Sequence, residues 1–266
     1  MDIQEIAEET EKTAVLRITE TGRSDIETLI VKESPLTIVL DNQELVTVLC
    51  SPVNLKYLAV GFLFSEGFLE SKGEIKKIIA DERKGIVWIE TKGDKGVGTD
   101  VLNRRFITSG CGRGASFYSI ADAQNMRRVE SHVEVSSGEV FALVDEFQHH
   151  SEVYKATHGV HSAALCDRNT ILIFSEDIGR HNALDKIFGE CILKDMPTDD
   201  RIIIVSGRIS SEMSLKVARR GIPIIVSIAA PTNAGVKLAA DLGITLIGLV
   251  RGKRMNIYSG AWRITD

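Results

Sequence analysis

The stretch "ITSGCGRGAS", Ile107 to Ser116, sets Cys111 among three glycines, Gly110, Gly112 and Gly114, in a chain with only four cysteines. Glycine carries a conformational cost in helices and strands alike, so the stretch predicts a loop that presents a side chain. A thiol so placed can act as a nucleophile, because the thiolate is the reactive form, and a flexible glycine loop would let its sulfur reach out of one site and into another. Its ordinary pKa of about 8.5 leaves little thiolate at neutral pH. Arg113 beside it, with Arg104 and Arg105 upstream, would favour ionisation where the fold brings them close. The blander reading is an incidental free cysteine, and spacing alone does not exclude it. Cys50 in "VTVLCSP" and Cys166 in "SAALCDR" sit among branched apolar residues and read as structural.

Further along, "EDIGRHNALDK" (Glu176 to Lys186) concentrates Asp177, Arg180, His181, Asn182 and Asp185 just after an apolar run. A helix cap and its salt bridges account for part of that density; the remainder is a candidate polar pocket. His158 and His161 in "THGVHSAAL" are three apart. On a strand that spacing faces opposite sides, and no CxxC or HxE accompanies them, so no metal site is expected.

Three other segments place polar or basic residues between an apolar run and a helix start. "IIIVSGRISSE" gives Arg208 with Ser210 or Ser211 as cap, and "IVSIAAPTN" gives Pro231 with a Thr232 cap. "LIGLVRGKR" gives Arg251, Lys253 and Arg254. In open α/β sheets ligands gather beyond the carboxyl ends of the strands. Helix N-termini there offer unpaired N–H groups and partial positive charge. Added cations would make a site for the phosphates of a nucleotide-like ligand; a solvated basic edge is the alternative. Neither GxGxxG nor GxxxxGK[ST] occurs, which argues against a standard dinucleotide fold or P-loop.

The elements that must hold these groups follow from hydrophobic period and turn chemistry. "ETLIVKESPLTIVLDNQELVTVLCSP" alternates β-rich runs with the turn signals Ser34-Pro35 and Asp41-Asn42, predicting antiparallel strands. A helix follows with Ser51 as N-cap, Pro52 at its first position and Leu55, Leu58, Ala59, Phe62 and Leu63 on one face, ending near Gly67. "IVWIET" is a strand, "TKGDKGVGTD" a glycine-rich loop, and "SFYSIADAQNMRR" a helix. Ser136-Ser137 opens another helix, with Val140, Leu143, Val144 and Phe147 along one stripe.

Beyond it "TILIFS", "RIIIVSG", "IPIIVSIA" and "ITLIGLV" are near-continuous apolar runs separated by helical stretches, the pattern of a helix-covered α/β sheet. The first two dozen residues are polar and predict poor order or an edge element. A boundary near residue 130 divides a smaller N-terminal α+β domain (1–130), which carries the cysteine loop, from a C-terminal α/β domain (131–266).

A hydrophobic fraction of 44% and a charged fraction of 26% place the 266-residue chain among ordinary soluble proteins with a proper core. Its net charge of −5 argues against a surface that coats nucleic acid. "MDIQEIAEETEK" lacks the order of a signal peptide, and no apolar run reaches the length of a membrane span. The cysteines show no repeated spacing and predict no disulfide framework. The expectation is a cytoplasmic chain with reduced thiols and neither nucleic acid nor membrane as partner.

From "KESPLTIVLDN" to "RMNIYS" the chain resembles the formate dehydrogenase accessory sulfurtransferase family (FdhD). The motifs that carry the resemblance are "SEGFLES", "TSGCG", "GVHSAALC", "FSEDIGRHNALDKIFG", "VSGRISSEMSLKVARRGIPIIVS" and "APTNAGVKLAADLGITLIGLVRGKRMNIYS". It implies a C-terminal cytidine deaminase-like layered α/β domain without the deaminase zinc residues. It also implies transfer of sulfur from a cysteine desulfurase of the IscS type to the molybdenum cofactor. That cofactor, Mo-bis(molybdopterin guanine dinucleotide), is destined for formate dehydrogenase. Cys111 matches the family's persulfide-forming cysteine, and Leu249, Val250, Arg251, Gly252, Lys253 and Arg254 match its cofactor-binding stretch. A homodimer is implied as well.

The family's loop is usually CxxC, and here Gly114 replaces the second cysteine. A relay between two loop thiols is therefore not available, although a single persulfide carrier is chemically sufficient. A cofactor-binding chaperone without sulfur transfer is the rival reading, and a zinc deaminase-like hydrolase a third.

Overall fold

The computed structural model describes residues 3–93, 106–107, 115–116 and 126–266. Helix α1 (Ile3–Glu9) leads into strands β1 (Thr10–Thr19) and β2 (Gly22–Val31), which pair antiparallel as a two-stranded sheet of their own. The polar composition of this segment predicts poor order or an edge element, yet β-branched residues recur along both strands. Thr13, Val15, Ile18, Ile26, Thr28 and Ile30 favour extended backbone whatever their exposure.

Strands β3 (Ser34–Leu40) and β4 (Gln43–Cys50) turn through Asp41 and Asn42, at φ 45° and 65°. Two consecutive left-handed residues are what a tight hairpin requires, and the Asp-Asn pair supplies them. With β5 (Ile75–Asp81) and β6 (Ile86–Thr91) they form a four-stranded sheet in the order β4-β3-β6-β5. Helix α2 (Leu55–Ser65) lies on this sheet, its Leu58 and Leu63 packed into a core with Leu36, Ile38, Val87 and Ile89.

The helix begins later than its sequence predicts. Asn54, left-handed at φ 58°, precedes it without a side-chain cap. Ser51 is engaged elsewhere: its N–H donates to Asp177 Oδ2 at 3.1 Å and its hydroxyl accepts from the Ile178 N–H at 3.2 Å. The helix stops as expected, with Gly67 left-handed at φ 80°.

Strands β7 (Phe106–Ile107) and β8 (Ala115–Ser116) pair antiparallel. Cys111, Arg104, Arg105 and Arg113 lie outside the described residues, as do most of "TKGDKGVGTD" and of "SFYSIADAQNMRR".

From β9 (Val135–Ser136) onward the chain runs through α3 (Ser137–His150), α4 (Glu152–Thr157), β10 (His161–Cys166), β11 (Ile171–Asp177) and α5 (Arg180–Leu193). It continues through β12 (Ile202–Val205), α6 (Ser211–Arg219), β13 (Ile224–Ser227), α7 (Asn233–Asp241), β14 (Thr245–Arg251), β15 (Arg254–Ser259) and β16 (Ile264–Thr265). Six strands form one sheet in the order β11-β10-β12-β13-β14-β15. β12, β13 and β14 run parallel, while β10, β11 and β15 are antiparallel to their neighbours.

The expected helix-covered α/β sheet is therefore present, in mixed rather than parallel form. One face packs Ile203, Val205, Ile225 and Leu246 under α5, α6 and α7. The other packs Ile202, Ile204, Val226 and Ile247 against Val140, Leu143, Val144 and Phe147 of α3. The predicted caps hold here: Ser136 forms a capping box with Glu139, Ser210 accepts from the Met213 N–H, and Thr232 accepts from the Gly235 N–H. No helix among the described residues is long and apolar enough to cross a membrane.

Helix α2 joins the two sheets. Buried along nearly its whole length, it carries the four-stranded sheet on one side and packs against α5 on the other. Ile192 of α5 belongs to the core beneath the four-stranded sheet.

Candidate functional site

The parallel strands all end at one edge of the six-stranded sheet, and the matched stretch Leu249 to Arg254 lies there. Leu249, Val250 and Arg251 close β14, Gly252 and Lys253 make the turn, and Arg254 pairs back with Arg251. The register slips between Gly248 and Arg251, and Leu249 sits at φ 55°. A left-handed leucine costs about 1–2 kcal/mol, so the surrounding contacts must hold it there. One of them is the Leu249 N–H donating to the Ala229 carbonyl at 3.2 Å. The bulge buries Val250 completely and leaves Arg251, Gly252, Lys253 and Arg254 exposed. Val250 can thus offer a ligand only its backbone, whereas three cations crowd one turn. Arg208 is exposed after β12 at the same edge.

Beside this turn a cavity of about 470 Å³ opens over the ends of β10, β12 and β13, with Phe147, Tyr154, His158, His161, Ser206 and Ile228 in its lining. His158 and His161 both line it, because His158 precedes the strand as the left-handed residue after α4. The alternation rule for strands does not reach it. His161 Nδ1 lies 3.2 Å from Ser206 Oγ, which also accepts the Ser162 N–H at 2.9 Å. Burial, reinforced by Arg180, holds the His161 imidazole below its ordinary range, so it is neutral at pH 7. Among the described residues no three ligand-type side chains converge as a metal site would need.

The dense "EDIGRHN" segment is largely structural. Asp177, fully buried, lies 2.8 Å from Lys186 Nζ and accepts from the Gly179 N–H and the Asn182 amide, each at 2.9 Å. Asp185 accepts from Ser65 Oγ at 2.6 Å and from Lys216 Nζ at 2.7 Å, with Glu66 3.3 Å from the same ammonium. These groups bind α2, α5 and α6 together. His181 Nε2 lies 3.4 Å from Glu212 Oε2 at the boundary of this lattice. Burial holds that imidazole well below its ordinary range and pushes the Glu212 carboxyl up to about 7. Ser65, Glu66, Lys216 and Glu212 escape the sequence reading. The available signal was Lys216 standing three residues after Met213 on the buried stripe of α6.

Glu176 gives a pH signature. Burial, with Glu9 adding to it, pushes its carboxyl from 4.5 up to about 8. The folded protein then binds this proton more tightly than the unfolded chain, so stability falls as pH climbs from about 4.5 to about 8. Glu176→Gln removes the ionisation, and its advantage over wild type should grow across that window by at most about 1.4 kcal/mol per pH unit. Urea unfolding at several pH values measures it; parallel profiles for the two proteins would contradict it.

Three of the four cysteines are closed to chemistry. Cys50, Cys166 and Cys191 are buried, and burial pushes their thiols up to about 12, 12 and 11.

The architecture is that of a mixed α/β protein in which a helix-covered six-stranded sheet is joined to a smaller sheet through one buried helix. A solved structure from Desulfotalea psychrophila, described as a candidate formate dehydrogenase accessory protein, superposes with a TM-score of 0.80 at 26% identity, covering 97% of this chain and 100% of that one. The model of the FdhD/NarQ family matches residues 31–265, and the chain belongs to that family. It is 40% identical over 237 residues to a Bacillus pumilus protein named "Sulfur carrier protein FdhD", covering 89% of this chain and 90% of the relative. A Staphylococcus aureus protein of the same name is 41% identical, covering 89% of each chain.

Proposed function

We propose that the chain is a sulfur carrier that serves formate dehydrogenase. It would take sulfur from a cysteine desulfurase of the IscS type as a Cys111 persulfide and deliver it to Mo-bis(molybdopterin guanine dinucleotide) before insertion into the enzyme. Family membership and the names of its relatives support the reading. The observation that carries it is the burial of Cys50, Cys166 and Cys191, which leaves Cys111 to perform any thiol chemistry. The exposed turn of Arg251, Lys253 and Arg254 supplies the charge that two pyrophosphates require.

In the first step the Cys111 thiolate attacks the outer sulfur of the donor's persulfide. The donor's S–S bond breaks, its cysteine leaves as thiolate, and Cys111 keeps the outer sulfur. In the second, that sulfur leaves as a neutral atom. The S–S electron pair stays on Cys111, which returns to thiolate, and the transferred sulfur would need two electrons to become sulfide, from the reduced metal of the cargo or from an external thiol. Gly114 stands where a second loop thiol would be, so a cysteine pair within this loop does not supply them.

Incubation with a cysteine desulfurase and cysteine, followed by intact mass spectrometry, should show a gain of one sulfur that Cys111→Ala abolishes. The Gly114 replacement favours one rival, a chaperone that holds the cofactor without carrying sulfur. No adduct on wild type, with guanine nucleotide still bound, would establish that rival.

A further inference from the structure

The ribbon of β1 and β2 holds Leu16 56% and Ile18 65% exposed, two large apolar side chains side by side in water. Its two faces differ. Thr13, Val15, Ile26 and Thr28 are half-buried on one. Lys12, Ala14, Leu16 and Ile18 are exposed on the other, where Glu27, Asp25 and Arg23 of β2 stand opposite Ala14, Leu16 and Ile18. Strand β1 is also an edge. Helix α4 lies against β2, and β1 pairs with no other described strand. The turn spans only Glu20 and Thr21, which makes Thr19 and Gly22 a hydrogen-bonded pair. Counting back by twos, Arg17, Val15 and Thr13 also bond to β2. The N–H and C=O groups of Lys12, Ala14, Leu16 and Ile18 point the other way, along the open edge. An edge ten residues long and without proline is a template for another strand.

We propose that β1 pairs antiparallel with β1 of a second copy of this chain, about a two-fold axis through Leu16. The strand is self-complementary in that register. Leu16 meets the partner's Leu16, Ala14 meets the partner's Ile18, and Lys12 meets the partner's Glu20, each unlike pair being repeated across the axis. The apolar row is thus covered by its own copy and closed at both ends by opposite charges. Neighbouring registers fail. An axis through Arg17 sets two arginines face to face, and one through Val15 sets Lys12 against the partner's Ile18. The matched family residues begin at 31, so this contact belongs to an N-terminal segment outside them. A single ten-residue edge lies at the small end of specific interfaces, so the pairing is reversible and concentration-dependent.

Sedimentation velocity of the full chain over a range of concentrations tests this, and wild type should pass from monomer to dimer. Lys12→Glu or Glu20→Lys alone sets like charges opposite each other at both ends and should weaken the dimer by about tenfold. The two together exchange the signs and should restore it, which a loss of folding or solubility would not allow. Both positions are exposed, so neither change disturbs the core. Ala14→Pro removes an outward N–H and spares the bonds to β2, so the monomer should still fold while pairing is lost. The proposal is overturned if the chain stays monomeric at every concentration, or if the double exchange fails to restore what the single ones lose. It is equally overturned if a dimer forms whose dissociation no variant changes, since the interface would then lie on another surface.

Discussion

Lys216→Met should cost the folded protein about 3–5 kcal/mol, because it strips the countercharge from carboxylates that remain buried. Lys216, Asp185 and Glu66 have side chains at most 3% exposed, and the ammonium lies 2.7 Å from one carboxylate and 3.3 Å from the other. Burial alone would lower the Lys216 ammonium; Asp185 and Glu66 outweigh it and hold the group above its ordinary value. Methionine preserves much of the volume and the contact near the Phe62 ring, so the loss is electrostatic rather than a cavity.

The pH dependence separates these causes. Burial already pushes the Asp185 carboxyl up, and without the ammonium it binds its proton more tightly still in the folded state than in the unfolded one, so the variant recovers as pH falls. Its deficit should be larger at about pH 8 than at about pH 5 in urea unfolding. A deficit independent of pH would mean packing, not charge, and an unchanged midpoint would mean that the lattice contributes nothing net.

The same lattice marks where sequence reading stops. The density of "EDIGRHNALDK" was legible, and its destination was not. Asp177 and Asp185 look like ligand groups until Lys186 and Lys216, from helical faces that otherwise carry apolar residues, are seen to neutralise them. Local signals succeeded where the chain satisfies its own backbone. Asp41-Asn42 turned as read, Ser136 capped α3 with Glu139, and Thr232 capped α7. Ser51 failed as a cap because Asp177 and Ile178, more than a hundred residues away, compete for it, and no local rule contains that competition.

Strand direction was invisible for a similar reason. An apolar run such as "RIIIVSG" states that both faces are covered and not which neighbour it meets. The site was divided in the same way. Basic residues at the end of β14 are visible in the sequence, and the family resemblance picks out Leu249 to Arg254. The left-handed leucine and buried Val250 that shape the turn run against local preference, so only the fold reveals them. The cavity beside it draws Phe147, Tyr154, His161, Ser206 and Ile228 from five separate segments, and no spacing could have gathered them.

Gly61→Ala and Gly189→Ala should each cost several kcal/mol, and the double variant much less than their sum. A Cβ on Gly61 would lie 1.8 Å from the Asp185 carbonyl oxygen, and one on Gly189 would lie 1.9 Å from the Tyr57 carbonyl oxygen. Both obstacles are helix backbone, which cannot swing aside as a side chain does, so α2 and α5 must separate. Overpacking of side chains usually costs about 1–3 kcal/mol, and backbone overlap belongs at or beyond the top of that range. Once the first methyl has forced the helices apart, the second enters space already opened, and the two losses overlap.

Gly138→Ala on α3 is the control, since its Cβ would meet nothing nearer than Ser136 Oγ at 3.9 Å. It should leave stability unchanged or raise it by up to about 1 kcal/mol through helix propensity. Additive losses at the two crossing glycines would show that each disturbs its own surroundings. Subadditive losses would make the crossing one contact, one of those through which the four-stranded sheet and the six-stranded sheet are held to each other.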